Sequence, residues 1–295
     1  NGKTAKVDIL ATDEIGHGST EFIILAAKEP YFDEEYVYYL SLLPSFRKYA
    51  ESKMEGTSGR QRVSWQSLAE FEYSFPAPEI RKKAGEALAL FDNKIELNNQ
   101  INETLEQMAQ GLFKSWFVDF EPVQAKAEAV EAGNDPELAA MQVISGKSIE
   151  ELERFAHSDP EAYQELAHTV SLFPSEFVES ELGMIPKGWE VKSFKQVINI
   201  FDNLRKPLSK IERMNIPGDY PYYGAASRMD SVGGYLFDGT YVLLAEDGSV
   251  KDQLDRPVTQ YVWGRFWVNN HAHILTGKDD VSTEQILLFL KRLNI

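Results

Sequence analysis

Residues 79–120 constrain this chain more than any other stretch. They contain no proline and only two glycines, Gly85 and Gly111, and they lie between Pro78 and Pro122. Apolar residues recur at Ile80, Ala84, Leu88, Phe91, Ile95, Ile101, Leu105, Met108, Leu112 and Trp116, at spacings of three, four or their sum. That period is helical, so the stretch is expected to form one helix of roughly eleven turns and about 60 Å with a single apolar seam. Such a rod is too long for a small globular core. It is expected to pack lengthwise on another long helix, with Phe91, Ile95, Asn98, Ile101, Leu105, Met108, Leu112 and Trp116 as the pairing surface. Asn98 falls in phase with Phe91 and Leu105. A polar residue there either fixes register and partner or is simply tolerated at the seam edge.

The texture differs on either side of the helix. Residues 7–75 suggest a strand at Glu21–Leu25, a helix near Glu34–Leu43 and a strand at Glu70–Phe75. From Ile185 onward, runs such as Tyr241–Ala245, Tyr261–Trp263 and Phe266–Val268 alternate with glycine turns and read as strands of a mostly β domain. A shift of 250 residues lays Glu21–Leu25 on His271–Leu275 and Glu34–Leu40 on Glu284–Leu290 without a gap, so each copy reads as strand, step, amphipathic helix. Residues 121–185 are polar and acidic, with turn signals at Gly133-Asn-Asp-Pro136 and Ser158-Asp-Pro160 and short helical stretches around Ile149–Ala156 and Glu161–Val170. They read as a connector. The fold class is therefore α+β. Residues 1–76 hold the back of a first mixed, mostly β domain, 77–122 the spacer helix, 123–184 the connector and 185–295 the front of a second β domain.

Charge and composition narrow the chemistry. Of the net −16, residues 121–185 hold 14 acidic and only 3 basic side chains, while residues 186–295 hold 13 and 14. The acid excess is thus local, and a basic face remains available elsewhere. The absence of cysteine excludes disulfides, thiolate metal sites and thiol catalysis, and it fits a cytoplasmic protein. No apolar run is long enough to span a membrane.

Catalytic templates fail one after another. Gly146-Lys147-Ser148 ends like a phosphate loop, but Met141 stands where the first glycine belongs. Asp219-Tyr-Pro-Tyr222 departs from the amino-methyltransferase motif at its second residue. His271 and His273 share a strand face without an evident third ligand. Glu246-Asp247-Gly248 lacks the lysine a nuclease requires in register, and there is no Gly-x-Ser-x-Gly elbow. No metal site and no catalytic residue are expected. The polar turns are better equipped. Thr57, Ser58, Arg60, Gln61 and Arg62 sit in Gly56-Thr-Ser-Gly-Arg-Gln-Arg62, and Arg205, Lys206, Tyr222, Tyr223, Arg228, Lys251 and Arg265 give the second domain similar side chains. Hydroxyls and backbone amides suit phosphates, and Arg and Gln suit base edges.

The stretch from Ala77 to Pro122, including Asn98-Asn-Gln-Ile-Asn-Glu-Thr-Leu-Glu106 and Phe113-Lys-Ser-Trp-Phe-Val-Asp-Phe120, resembles the central region of specificity subunits of type I restriction–modification systems. Glu181-Leu-Gly-Met-Ile-Pro-Lys-Gly-Trp-Glu-Val191 resembles the start of their second target-recognition domain. The resemblance implies two target-recognition domains, each reading half of a split sequence in double-stranded DNA, held apart by long helices paired as an antiparallel coiled coil. It implies no catalysis by this chain. Two modification (methyltransferase) subunits would bring S-adenosylmethionine, and a restriction subunit would bring ATP and Mg²⁺ chemistry. Against a complete member, both recognition domains are expected to be truncated here, and half-length relatives suggest self-dimerisation through the helix. A helical scaffold with protein-binding β domains, or a degenerate methyltransferase or nuclease, are the other readings.

Overall fold

The computed structural model describes residues 3–11, 13–28, 31, 33–57 and 61–294. The chain forms two compact units, residues 1–104 and 105–295, and the division falls within one helix. That helix, α4 (Pro78–Phe117), has 40 residues, as the periodicity requires. Before it come α1 (Glu34–Leu42), α2 (Pro44–Ser52) and α3 (Trp65–Ala69).

In the first unit, α1 crosses α4 at Gly85. A Cβ on that glycine would sit 2.6 Å from the Tyr36 backbone nitrogen and 2.9 Å from Glu35 Cβ. Arg81 holds the same corner. It pairs with the buried Asp33, donates to the Pro76 carbonyl at 2.9 Å and lies against the Tyr31 and Phe75 rings. The expected strands Glu21–Leu25 and Glu70–Phe75 do not form; both segments are irregular. Among the described residues neither has a pairing partner, and an extended segment without one has no ladder to hold it. Phe22 and Ile24 remain 71% and 89% exposed.

In the second unit the acidic segment is a packed structure, not a loose tether. It forms α5 (Glu121–Glu131), α6 (Pro136–Ser145), α7 (Ile149–Ser158) and α8 (Pro160–Ser171); the last three close on Ala140, Met141, Leu152 and Val170, and α5 packs on α6. The two turn signals act as caps: Asp135 accepts from the Glu137 and Leu138 amides and Asp159 from the Ala162 amide. Ser148, outside those signals, forms a capping box with Glu151. The Gly146-Lys147-Ser148 triplet is accordingly a left-handed helix terminus followed by the next helix start. Buried Lys126 on α5 donates to Glu137 Oε1 at 2.7 Å and to the Phe173 carbonyl, beyond α8, at 2.9 Å.

The chain then forms a two-stranded ribbon, β1 (Phe177–Ser180) and β2 (Gly183–Pro186). Here the two motifs that carry the family resemblance meet. Trp189 lies 5.9 Å from Phe117 and 5.5 Å from Phe120, Phe120 lies 6.3 Å from Phe177, and Trp116 meets Phe173 at 5.6 Å.

Residues 186–294 fold into α9 (Phe194–Val197), β3 (Ile198–Ile200), α10 (Lys210–Asn215), β4 (Tyr220–Tyr223), β5 (Arg228–Val232), β6 (Phe237–Ala245), β7 (Thr259–Val268), β8 (Ala272–Gly277) and α11 (Thr283–Leu290). The sheet order is β3-β8-β6-β7-β4-β5, antiparallel except for β4 beside β7. The expected strands 261–263 and 266–268 are one strand, β7, and the shifted repeat of strand and helix is realised here as β8 and α11.

The register shows that this sheet is folded. On β6, Phe237 pairs with Phe266 of β7, while Ala245 pairs with Ala272 of β8. A straight β6 would separate those sites by about 26 Å. The four peptide steps from Val268 to Ala272 cover at most ~15 Å, so the ribbon must bend. It does so where Gly239 and Gly264 face each other in register, both at positive φ, 139° and 76°. The two halves close on one core of Phe237, Leu243, Val262, Phe266, Val268, Ala272 and Ile274. A second core, Ile198, Val242, Leu275, Ile286 and Leu290, seats α11 on the outer face.

Candidate nucleic-acid interface

In the first unit, Thr57, Gln61 and Arg62 are exposed, while Ser58, Arg60 and the intervening glycine lie outside the described residues. Arg62 exchanges backbone hydrogen bonds with Glu55 and pairs with Glu21 at 2.8 Å, so the turn is closed by its own strand-like bridge.

In the second domain the expected residues separate into two kinds. Tyr222 is 1% exposed and its hydroxyl accepts from the Leu208 amide at 2.9 Å. It is a core residue and leaves the set of candidate DNA contacts. Tyr223 packs edge-on against Phe266 at 5.8 Å. Arg205 is equally committed to the fold. Its guanidinium pairs with Asp202 and Glu246 and donates to the Asn270 and Ala272 carbonyls, leaving its side chain 14% exposed. Asp202, Glu246 and His273 bring ligand atoms close enough to suit a cation, but Arg205 bridges the two carboxylates and already supplies the positive charge. His273 Nδ1 lies 2.5 Å from Asp202, and His271 Nδ1 lies 2.6 Å from Asp247. Glu246-Asp247-Gly248 follows the end of β6 as a turn.

Lys206, Arg228, Lys251 and Arg265 are exposed. Lys251 pairs with Asp255 at 2.6 Å. Arg265 pairs with Asp238 at 3.0 Å and lies over the Tyr235 ring, and that carboxylate holds its guanidinium above the usual arginine range. Arg213 takes Asp230 at 2.9 Å and holds that carboxyl below its ordinary value, as Arg256 does for Asp252. Arg228 differs. It donates to Ser231 Oγ and, at 3.4 Å, to the Asp230 carbonyl.

Sequence reasoning missed Gln260 and Asn269. Gln260 Nε2 donates to the Gly224 and Ala225 carbonyls, each at 3.0 Å, across 36 and 35 positions of chain. The 5%-exposed Asn269 turns its side-chain amide to the Met229 sulfur. Neither residue carries a local signal, because both act through the folding of the ribbon.

Along α4 the seam is open. Leu88, Phe91, Ile95, Ile101, Leu105, Met108 and Leu112 are each 44–68% exposed, and Asn98 is exposed among them. Trp116 is the exception: it packs on Phe173 of the same unit.

The second domain is thus a small folded β module whose fixed ionic network holds its loops and leaves a few cationic and aromatic side chains outside. Residues 186–294 match the model of the family described as the type I restriction modification DNA specificity domain. The chain is 39% identical over 188 residues to the type I restriction enzyme HindI specificity subunit of Haemophilus influenzae, an overlap of 61% of this chain and 41% of that protein. It is 28% identical over 185 residues to the MjaIX specificity subunit of Methanocaldococcus jannaschii, covering 62% and 32%. The chain therefore spans less than half the length of these relatives. The crystal structure of the type I restriction–modification S subunit from M. genitalium aligns with 84% of this chain and 50% of that one, at 17% identity and a TM-score of 0.34.

Proposed function

We propose that this chain is a DNA sequence-recognition subunit of a type I restriction–modification complex, with no catalysis of its own. The observation that carries the reading is the coincidence of the DNA specificity family with the folded β module at residues 186–294. The module reads one half of a split target in double-stranded DNA, and residues 1–76 contribute to reading the other. The open seam of α4 supports antiparallel pairing with a second long helix, including that of another copy of this chain, and this helix pair spaces the half-sites. Modification subunits carrying S-adenosylmethionine, and a restriction subunit using ATP and Mg²⁺, dock on this frame in the cytoplasm. Among the described residues, no helix is long and apolar enough to cross a membrane.

Selection from a random duplex library, using the chain with its modification subunits, tests the proposal. A split motif with a fixed spacer is expected, with affinity that falls as salt rises. No enrichment by a folded, assembled complex sinks it in favour of a scaffold. Replacing Arg62 or Arg60 with Ala is expected to weaken binding. If either reads a guanine, it relaxes that position by ~1–3 kcal/mol.

A further inference from the structure

The β4–β5 turn, Gly224-Ala-Ala-Ser-Arg228, is held more firmly than an exposed turn needs for folding alone. The Gly224 amide donates to the Ser227 carbonyl at 2.9 Å, closing it. The Gln260 side chain, reaching from the far end of β7, donates one hydrogen bond to each of two successive turn carbonyls, Gly224 and Ala225. Gly224 is buried, and a Cβ there would overlap the Met229 sulfur, which Asn269 in turn contacts. Opposite Arg228 the β4–β5 register slips between Tyr222 and Tyr223. Such a bulge re-aims the side chain it faces. The outcome is a rigid platform from which Ala226, Ser227, Arg228 and Met229 are exposed.

What stands on this platform is an arginine that, among the described residues, has no acidic partner. Arg205, Arg213, Arg256 and Arg265 each have a carboxylate. Arg228 has a hydroxyl and a carbonyl instead. Asp230, two residues away, is occupied by Arg213. A guanidinium held by neutral acceptors, with its remaining donors unneutralised by a carboxylate, can turn its fork to an external double acceptor, and the guanine N7/O6 edge is one. Rigidity matters because ordering a long side chain on binding costs free energy that a fixed platform lowers.

We propose that the Gly224–Arg228 turn is the base-reading element of the second domain, with Arg228 as a specificity-determining side chain and Gln260 as the residue that positions it. This rests on the reading of the chain as a DNA-recognition subunit. Gln260 touches no DNA itself; it sets where Arg228 stands.

The test uses the full chain with its modification subunits and compares wild type with Arg228→Ala, Arg228→Lys, Gln260→Ala and Gln260→Glu. Each is scored by position-resolved selection from random duplexes, by affinity for a random-sequence duplex and by thermal melting. Arg228→Ala is expected to lower affinity for the selected duplex roughly 10- to 100-fold and to relax one or two adjacent positions of one half-site. Arg228→Lys keeps the charge, so it is expected to retain affinity for random duplex while losing the same preference. Gln260→Ala and the isosteric Gln260→Glu, which cannot donate to the two carbonyls, are expected to relax those same positions while random-duplex affinity and melting temperature hold.

Loss of affinity for all duplexes alike in Arg228→Ala makes it a phosphate contact and overturns the proposal. So does a Gln260 variant that relaxes different positions or none. If a Gln260 variant fails to fold, the exposed Arg228 pair still decides the reading role. A wild-type complex that enriches no sequence removes the DNA-recognition reading itself. Enrichment by wild type with unchanged preference in every variant removes only this inference.

Discussion

Gly85 shows how much can depend on one missing methyl group. In most helices glycine to alanine is stabilising by ~0.5–1 kcal/mol, because the helical backbone loses less entropy. Here the added Cβ would press on the Tyr36 backbone, which cannot move without shifting α1. Gly85→Ala is expected to destabilise the first unit by about 1–3 kcal/mol, the range for overpacking, measured by denaturant unfolding. A stabilised variant would mean that α1 does not press on α4. Tyr261 and Glu284 make a second residue-scale case. The Tyr261 hydroxyl, 2.5 Å from Glu284, holds that carboxyl below its usual range, and the same hydrogen bond pushes the tyrosine up to about 12. The Glu284 contribution is present above the unfolded carboxyl value near ~4.3 and is lost as pH falls through the lower folded value. The Tyr261 contribution is present below ~10 and is lost as pH rises towards 12. Tyr261→Phe should therefore flatten the melting-temperature profile at both ends, and an unchanged profile would remove the bond from solution. At this scale the sequence was a mixed guide. Arg228 was legible as an exposed cation, but Arg205 and Tyr222 look equally polar in sequence. They are internal because their partners lie up to 67 positions away.

At the scale of elements, legibility follows the range of the interactions. Helix α4 was readable end to end because its periodicity is local, and the caps of α6 and α8 were readable because each involves residues two or three apart. Strands fared worse. Glu21–Leu25 and His271–Leu275 share a pattern, but only the second finds strands on both sides, so only it becomes a strand. Gly264 suggested a break between two strands, whereas it bends a single one. The readable helix carries its own prediction. Inserting four residues after Ile101 adds ~6 Å of rise, nearly two base-pair steps. The preferred spacer should lengthen with both half-sites retained in the same selection assay. A changed half-site would end the idea that α4 sets the distance.

For the whole molecule, the acidic segment changes meaning once it is seen folded. Its charge is spread over a helical unit with its own core, and many of its acids sit at helix starts, where the backbone dipole favours them. The aromatic joint of Trp116, Phe117, Phe120, Phe173, Phe177 and Trp189 then connects α4, this unit, the β1–β2 ribbon and the start of the β module. Trp189→Ala, which removes two of those ring contacts, is expected to cost about 1–3 kcal/mol, less than a fully buried tryptophan. It should also speed proteolytic cleavage between residues 174 and 190, read by mass spectrometry of the fragments. Unchanged cleavage would show that the ribbon is held without it.

That joint also makes the α5–α8 unit a side branch. The chain departs at Phe120 and comes back at Phe173, which meets Trp116 one turn before the departure point, and Lys126 ties the outgoing helix to the returning strand of chain. A segment whose two ends meet behaves as a cartridge: removing it, or seating a different small domain with equally close ends, leaves the geometry of its neighbours intact. An engineer could therefore exchange residues 121–172 for a sensor or tether without moving the β module at residues 186–294.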